Sequence, residues 1–278
     1  MPETRRRRAG ARSTARPRPS LEPAERAGLL AVDVGNSDTV LGRFTGSTLT
    51  GFWRFTSRAS TADELELRLE ALARVHHWPR SVGAVLCSVA PALTLPWVVA
   101  LERLIGSPPV EVTAATARSL PIRYHDRGAV GADRIANAVA ARALYGTPAI
   151  VVDLGTATTF DCISQQGAYL GGAICPGVVS SAEELFRRAA RLPRVELRRP
   201  ARALGRTTEE SLQSGVLWGA AGQVDALVRR LALEMKGTPA VIATGGLATT
   251  VAPECETINR VDEALTLKGM RLIWEDCR

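Results

Sequence analysis

Lysine is almost missing from this chain: of 35 basic residues only Lys236 and Lys268 are not arginine, and neither stands in a glycine turn. No G-x-x-x-x-G-K-[ST] and no G-x-G-x-x-G occurs, which excludes a P-loop and a protein-kinase arrangement. The five cysteines (87, 162, 175, 255, 277) are odd in number and widely spaced, with no Cys-x-x-Cys. They indicate reduced thiols and argue against a disulfide framework or a zinc site. His76, His77 and His125 are too few and too scattered for a metal cluster. No apolar run approaches the roughly 18 residues that span a bilayer.

Length and composition describe an ordinary folded chain. At 278 residues, with 46% hydrophobic and 23% charged residues, it is long enough for one large domain or two ordinary ones. The net charge of +7 is unevenly placed. Residues 1–20 hold seven Arg against Glu3, whereas the rest carries 28 basic and 27 acidic residues. The basicity therefore belongs to a tail rich in Arg, Pro, Ser and Ala, expected to be disordered over residues 1–27. A solvated extension, a basic arm for an anionic surface and a transit-like presequence are each compatible with it. No apolar stretch follows the arginines, so a secretory signal is not expected. Nucleic acid and membrane are not expected partners of the nearly neutral body, and a cytoplasmic location is.

The periodicities predict an α/β protein. Strands are expected at about 29–34, 39–44, 48–55, 82–89 and 110–112. Helices are expected from Thr61-Ala62-Asp63-Glu64, whose Thr and Glu form a capping-box pattern, and at 94–105. An alanine-rich helix over 133–145 joins the halves, its small side chains permitting close approach of another helix or a partner subunit. The second half repeats the plan with strands at 149–153, 160–164, 169–174 and 239–244. Its helices begin at Ser180 and span 208–235 and 265–274, and 191–206 reads as a surface loop. The boundaries divide the chain into 1–27, 28–145 and 146–278.

Two strands end in the same design. Leu29-Leu30-Ala31-Val32-Asp33-Val34-Gly35-Asn36-Ser37 recurs 120 residues later as Ala149-Ile150-Val151-Val152-Asp153-Leu154-Gly155-Thr156. An apolar strand closing in Asp, then Gly and hydroxyl residues, offers an open backbone, N–H and O–H donors, and a carboxylate for a cation. That suits a polyphosphate with its metal, because phosphoryl transfer relies on positioning and charge stabilisation. Ala243-Thr244-Gly245-Gly246 ends a third strand in small residues, and the three turns are expected to line one cleft.

Four motifs in order carry a family likeness: Asp33-Val34-Gly35-Asn36-Ser37, Gly131-Ala132-Asp133-Arg134, Asp153-Leu154-Gly155-Thr156-Ala157-Thr158-Thr159 and Gly171-Gly172-Ala173-Ile174-Cys175-Pro176-Gly177. Together they resemble type III pantothenate kinase, of the sugar-kinase, actin and heat-shock ATPase superfamily, over about residues 29–274. The resemblance implies a duplicated ribonuclease-H-like fold with an interdomain cleft, a homodimer, and phosphorylation of pantothenate by ATP at the start of coenzyme A synthesis. It implies Asp133 as general base. It implies ATP contacts from Asp33, Val34, Gly35, Asn36, Ser37, Asp38, Thr39, Val40 and Thr156. Asp33 would orient hydrated Mg2+, and Asp153 would bind a monovalent cation, K+ or NH4+. Tyr124, Gly131, Ala132, Asp133, Arg134 and Thr208 would contact pantothenate.

Plainer roles stand beside these. Asp133 suits the N-cap of a helix beginning at Arg134, and Thr208 suits the N-cap of the helix after it. Arg134 suits an ion pair, Tyr124 a packed loop aromatic, and Asp33 a brace for its own turn. Two positions depart from the family pattern: Asp38 adds a carboxylate beside the phosphates, and Arg127 replaces a usual proline. Two other readings stay open, a regulatory relative that binds nucleic acid through its tail and a kinase for another small hydroxy compound.

Overall fold

The computed structural model describes residues 28–78, 81–189 and 191–278, so the tail expected over 1–27 lies outside the described residues. The first sheet contains β1 (Gly28–Val34), β2 (Asp38–Thr45), β3 (Thr48–Thr56), β4 (Ser81–Ser88) and β5 (Val110–Glu111), in the order β3-β2-β1-β4-β5. The second contains β6 (Ala149–Leu154), β7 (Ala157–Ile163), β8 (Tyr169–Pro176), β9 (Ala240–Thr244) and β10 (Arg260–Val261). Read as β8-β7-β6-β9-β10, it repeats the first strand for strand. Each sheet opens with three antiparallel strands and adds two parallel ones. This is the duplicated ribonuclease-H-like plan.

Strand alternation decides what faces where. In β1, Leu30, Val32 and Val34 pack with α1 (Ala62–Val75) and α2 (Pro91–Ile105) through Leu65, Leu69, Trp97 and Leu101. Leu29 and Ala31 turn the other way, toward α3 (Ala132–Tyr145) and toward α7 (Leu265–Asp276), which follows the short α6 (Ala248–Val251). In β6, Ile150, Val152 and Leu154 face α5 (Thr208–Glu234), while Ala149 and Val151 join the α3–α7 cluster. Thus α3 and α7 form a middle layer shared by both sheets. Burial of those side chains, each about 1.5–3 kcal/mol for a Val, Leu or Ile, holds the layers together.

Four alanines of α3 lie inside this layer. Ala136, Ala138, Ala140 and Ala141 are fully buried, so the close approach they permit is to α7 and the sheets. The approach is tightest where Gly269 of α7 meets α3, since a Cβ there would stand 1.9 Å from the Ala136 carbonyl oxygen. The helix α7 also packs on the first sheet, where the Trp274 ring covers Gly83 and Leu267 covers Gly42.

Several boundaries differ from expectation. The helix α2 begins at Pro91, three residues early, because proline at the first helical position forfeits an N–H that would be unpaired anyway. The helix α4 (Val178–Arg188) begins directly after Gly177 instead of at Ser180. Gly131, not Asp133, is the N-cap of α3, and Asp133 lies inside the first turn. Thr207, not Thr208, caps α5 by accepting from Glu210 N. Thr61 and Glu64 form the expected capping box on α1. The stretch 191–206 carries no helix or strand.

Gly269→Ala is expected to lower the unfolding free energy by at least about 1–3 kcal/mol, the usual cost of forcing a methyl into a packed contact. A denaturant titration with an unchanged midpoint would refute the Gly269–Ala136 contact.

Candidate active site

The alternation that builds the core also aims the acids. Asp33 has the parity of Leu29 and Ala31, and Asp153 that of Ala149 and Val151, so both point from their sheets toward the middle layer. The first turn of α3 stands there and carries Asp133. The three carboxylates act on one another electrostatically. Burial, reinforced by Asp133 and Asp153, pushes Asp33 up to about 7, against a hydrogen bond from the Cys87 thiol that favours the ion. Burial and then Asp133 push Asp153 up to about 6. Burial also raises Asp133, opposed by the Arg134 backbone N–H at 2.8 Å and the Arg134 guanidinium. Three desolvated acids near one point disfavour ionisation, and any cation placed among them would reverse that.

Each turn is braced from outside itself. Gly35 N donates to Asp38 O at 3.0 Å, Ser57 Oγ donates to Gly35 O at 2.7 Å, and Ser57 N donates to Ser37 O at 2.8 Å. Thr39 and Ser57 share a hydroxyl–hydroxyl bond of 2.9 Å. In the second half Gly155 N donates to Ala157 O, and Ser180 Oγ donates to Thr156 O at 2.9 Å. The two turns meet where Thr156 Oγ1 donates to Ser37 Oγ at 2.9 Å. The third turn closes on Asp153: Gly245 has φ +91, and a Cβ there would lie 2.5 Å from Asp153 Oδ1. Only glycine meets both demands.

Asn137, one helical turn beyond Asp133, ties this arrangement to the core. Its Nδ2 donates to Asp153 Oδ2 at 3.0 Å, and its Oδ1 accepts from Thr266 Oγ1 of α7 at 2.8 Å. A fully buried amide satisfied at both ends fixes the distance from β6 to both helices.

Arg134 is 8% exposed. Its Nε donates to Asp161 Oδ1 at 2.7 Å, and its Nη2 donates to Phe160 O at 3.3 Å. The Tyr169 hydroxyl donates to the same Asp161 oxygen at 2.9 Å. Burial pushes the Asp161 carboxyl up and the guanidinium pulls it down, while Asp161 keeps Arg134 protonated. The Tyr169 ring carries the line outward to Tyr124, 6.2 Å between centroids, which lies over Gly171. Residues 121–123 are hydrogen-bonded to Tyr169, so Tyr124 is presented at the edge of β8. Tyr124, Arg134 and Asp133 thus form one continuous wall.

Other expected residues are placed differently. Val34 is a core side chain and Val40, partly buried, packs against the middle layer, leaving their backbone to the turn. Asn36 is exposed, and Asp38 is paired with Arg54 at 3.1 Å. Gly131 and Ala132 open α3, Gly131 crowded by the Asp133 carboxylate. Thr208 is exposed, and among the described residues no contact joins it to the carboxylates. Arg127 lies in a short 3-10 turn whose Gly128 N–H is held by Asp126 at 2.9 Å. Cys87, Asn137, Asp161, Ser57 and Arg54 had not been singled out. Asp161 had a signal, a lone acid inside the apolar strand Phe160–Ile163; Asn137 shares its helix face with Asp133 and Arg134 one turn before it.

Among the described residues no group of three His, Cys, Asp or Glu side chains is arranged to cage a metal, and all five cysteines are free thiols. Mg2+ is usually held by one or two carboxylates together with substrate phosphates, and Asp33 and Asp153 each present a carboxylate at the end of a strand. The half-buried acids Asp33 and Asp153 supply the matching charge. Among the described residues no helix is long and apolar enough to cross a membrane.

The family model for type III pantothenate kinase matches residues 29–230. A type III pantothenate kinase of Moorella thermoacetica is 48% identical over 250 residues, covering 89% of this chain and 98% of its own. One of Geobacter sulfurreducens is 44% identical over 254 residues, with coverage of 89% and 98%. Among solved structures, a putative Baf family transcriptional activator from Campylobacter jejuni matches with a TM-score of 0.57 at 20% identity, covering 89% and 98%. A putative 2-dehydro-3-deoxygalactonokinase from Sinorhizobium meliloti matches at 0.52 and 14%, covering 89% and 96%. At these identities the structures show a shared fold.

The raised acids give a stability prediction. Folding takes up protons between the unfolded value near 4 and the folded values of about 7 and about 6, so this contribution is full at acid pH and is lost as pH rises through them. Without ligand, the thermal midpoint is expected to fall from about pH 5.5 to about pH 8, and less so in Asp33→Asn. Parallel pH profiles for the two proteins would overturn the burial of an ionisable Asp33.

Proposed function

This chain belongs to the type III pantothenate kinase family, and on that footing we propose how its cleft transfers the γ-phosphoryl group of ATP to the primary hydroxyl of pantothenate. The observation that carries the reading is the convergence of Asp33, Asp153 and Asp133 from β1, β6 and α3 beside two turns joined by Ser37 and Thr156. Asp133 takes the hydroxyl proton. The hydroxyl oxygen bonds to the γ-phosphorus as the bond to the β,γ-bridging oxygen breaks, and ADP leaves. Burial raises the proton affinity of Asp133, which favours a base acting near neutral pH.

The turn after β1 and Thr156 would receive the phosphates through backbone N–H and hydroxyl groups. Asp33 would hold Mg2+ arriving with ATP, which supplies neutralisation of phosphate charge. Asp153, half-buried and steadied by Asn137, would hold a monovalent cation such as K+ or NH4+. Tyr124 and Arg134 line the wall where pantothenate would lie, and the buried pair with Asp161 makes Arg134 a fixed feature of that wall. The halves 28–145 and 146–278 would close on the substrates, with α7 returning to the first.

A cytoplasmic homodimer is the assembly we assign. Gly215, Gly219 and Gly222 lie on one exposed side of α5, where an added Cβ would meet nothing within 4 Å. A flat helical strip of this kind admits a second helix at close range. Thr208 begins the same helix, so a partner's pantothenate would lie within its reach across the interface. A nucleic-acid-binding regulator would draw on the tail alone, and the arrangement of acids favours the kinase.

Asp133→Asn is expected to reduce ADP release with pantothenate, Mg-ATP and K+ by about 10²–10⁴-fold, the usual contribution of a general base, while Mg-ATP still binds. Turnover within a few-fold of wild type would remove Asp133 from that role. Gly219→Arg is expected to halve the mass in sedimentation equilibrium, and an unchanged mass would take this face of α5 out of the interface.

A further inference from the structure

A polyphosphate entering this cleft meets three carboxylates, and Lys236 and Lys268 both stand outside the glycine turns. A cation must offset that repulsion, and the sheet register supplies one. Asp33 pairs with Val40 across β1 and β2, and Val40 pairs with Arg54 across β2 and β3. Directly opposed residues share a face. Arg54 therefore stands in the row of Asp33, on the face turned toward the cleft, and its charge pulls Asp33 toward the ionised form.

The reach of the side chain is informative. Arg54 Nη1 donates to Asp38 Oδ2 at 3.1 Å, with both side chains over 40% exposed. Its guanidinium also lies 3.7–3.9 Å from the Cβ position of Gly246, in the third turn of the second half. Arg54 thus extends from the first sheet across to the turn after β9. Among the described residues Nη1 is its one engaged nitrogen. An exposed ion pair of this kind contributes about 0–1 kcal/mol, so it exchanges readily for a better anion. A planar guanidinium binds phosphate oxygens with two parallel bonds, which a carboxylate at one nitrogen does not match.

We propose that Arg54 is a ligand of the nucleotide's phosphates, held at the cleft by Asp38 until the phosphates displace that carboxylate. Asp38, the carboxylate that departs from the family pattern, then acts as a placeholder for substrate charge. The proposal rests on the nucleotide-binding part of the reading above and is independent of the phosphoryl acceptor.

The test is calorimetric titration of the full chain with Mg-ATP at fixed salt, beside assays with pantothenate. Arg54→Gln is expected to weaken Mg-ATP binding about tenfold or more, as loss of a charge-assisted bond would, and to leave the KM for pantothenate unchanged. Arg54→Lys should recover part of the loss, since it keeps charge without the fork. Asp38→Asn keeps the arginine and removes its competitor, so it should tighten Mg-ATP binding a few-fold and judges the proposal even if Arg54→Gln folds poorly. Wild-type affinity in Arg54→Gln, or weaker binding in Asp38→Asn, would overturn the assignment. A wild type that binds Mg-ATP without phosphorylating pantothenate would defeat the reading of the acceptor, leaving Arg54 to be judged by the affinities. A wild type that binds no Mg-ATP would defeat both.

Discussion

Carboxylates resist being brought together out of water, and the architecture is arranged around making three of them do so. Asp33, Asp153 and Asp133 each lose solvation, Asp133 makes both of the others harder to ionise, and Asp153 adds to the burden on Asp33. Isolated, such a cluster would be costly. It is held by surroundings that are over-determined: two strands fixed on both sides in their sheets, a helix start capped at Gly131, and an amide at Asn137 bonded to Asp153 and Thr266. The same strain is what makes the site want cations. Positive charge arriving with a nucleotide would relieve it.

The middle layer explains how two sheets share one site. The side chains of α3 that face α7 are small, so the helices approach until Gly269 touches the Ala136 carbonyl. Close approach brings the inner faces of β1 and β6 near the same helix terminus. Packing and chemistry are therefore coupled: the residues that fill the layer set the separation of the acids. The wall of Tyr124 and Arg134 follows the same logic, because the Arg134–Asp161 pair locks the third residue of α3 onto β7. An ion pair this buried does little for net stability, but it leaves one position open to the helix end.

Much of this was legible beforehand. The two Asp-x-Gly turns and the succession of strands along each half follow from local rules, and the strand period of two then separates Leu29, Ala31 and Asp33 from Leu30, Val32 and Val34. A period of two, ended by glycine, reads directly. Asp133 as a candidate was also visible, although its position inside the first turn of α3 was not, because a glycine before it caps equally well. The roles of Asp161, Cys87 and Arg54 stayed hidden. Each depends on a neighbour far away in the chain, and a lone polar residue in an apolar strand does not name its partner.

The sequence by itself determined the repeated strand-turn unit, the face each strand residue takes and the glycines at the turns, since these arise from contacts within a few residues. Only the tertiary structure decided that α7 returns to the first sheet, that Thr156 bonds to Ser37, and that Arg54 stands in the row of Asp33 and reaches Gly246. The row is set by strand register, whereas the Thr156–Ser37 bond and the reach to Gly246 depend on how closely α3 and α7 pack between the sheets. That distance is set by the summed volumes of side chains from both halves, and no local pattern carries it.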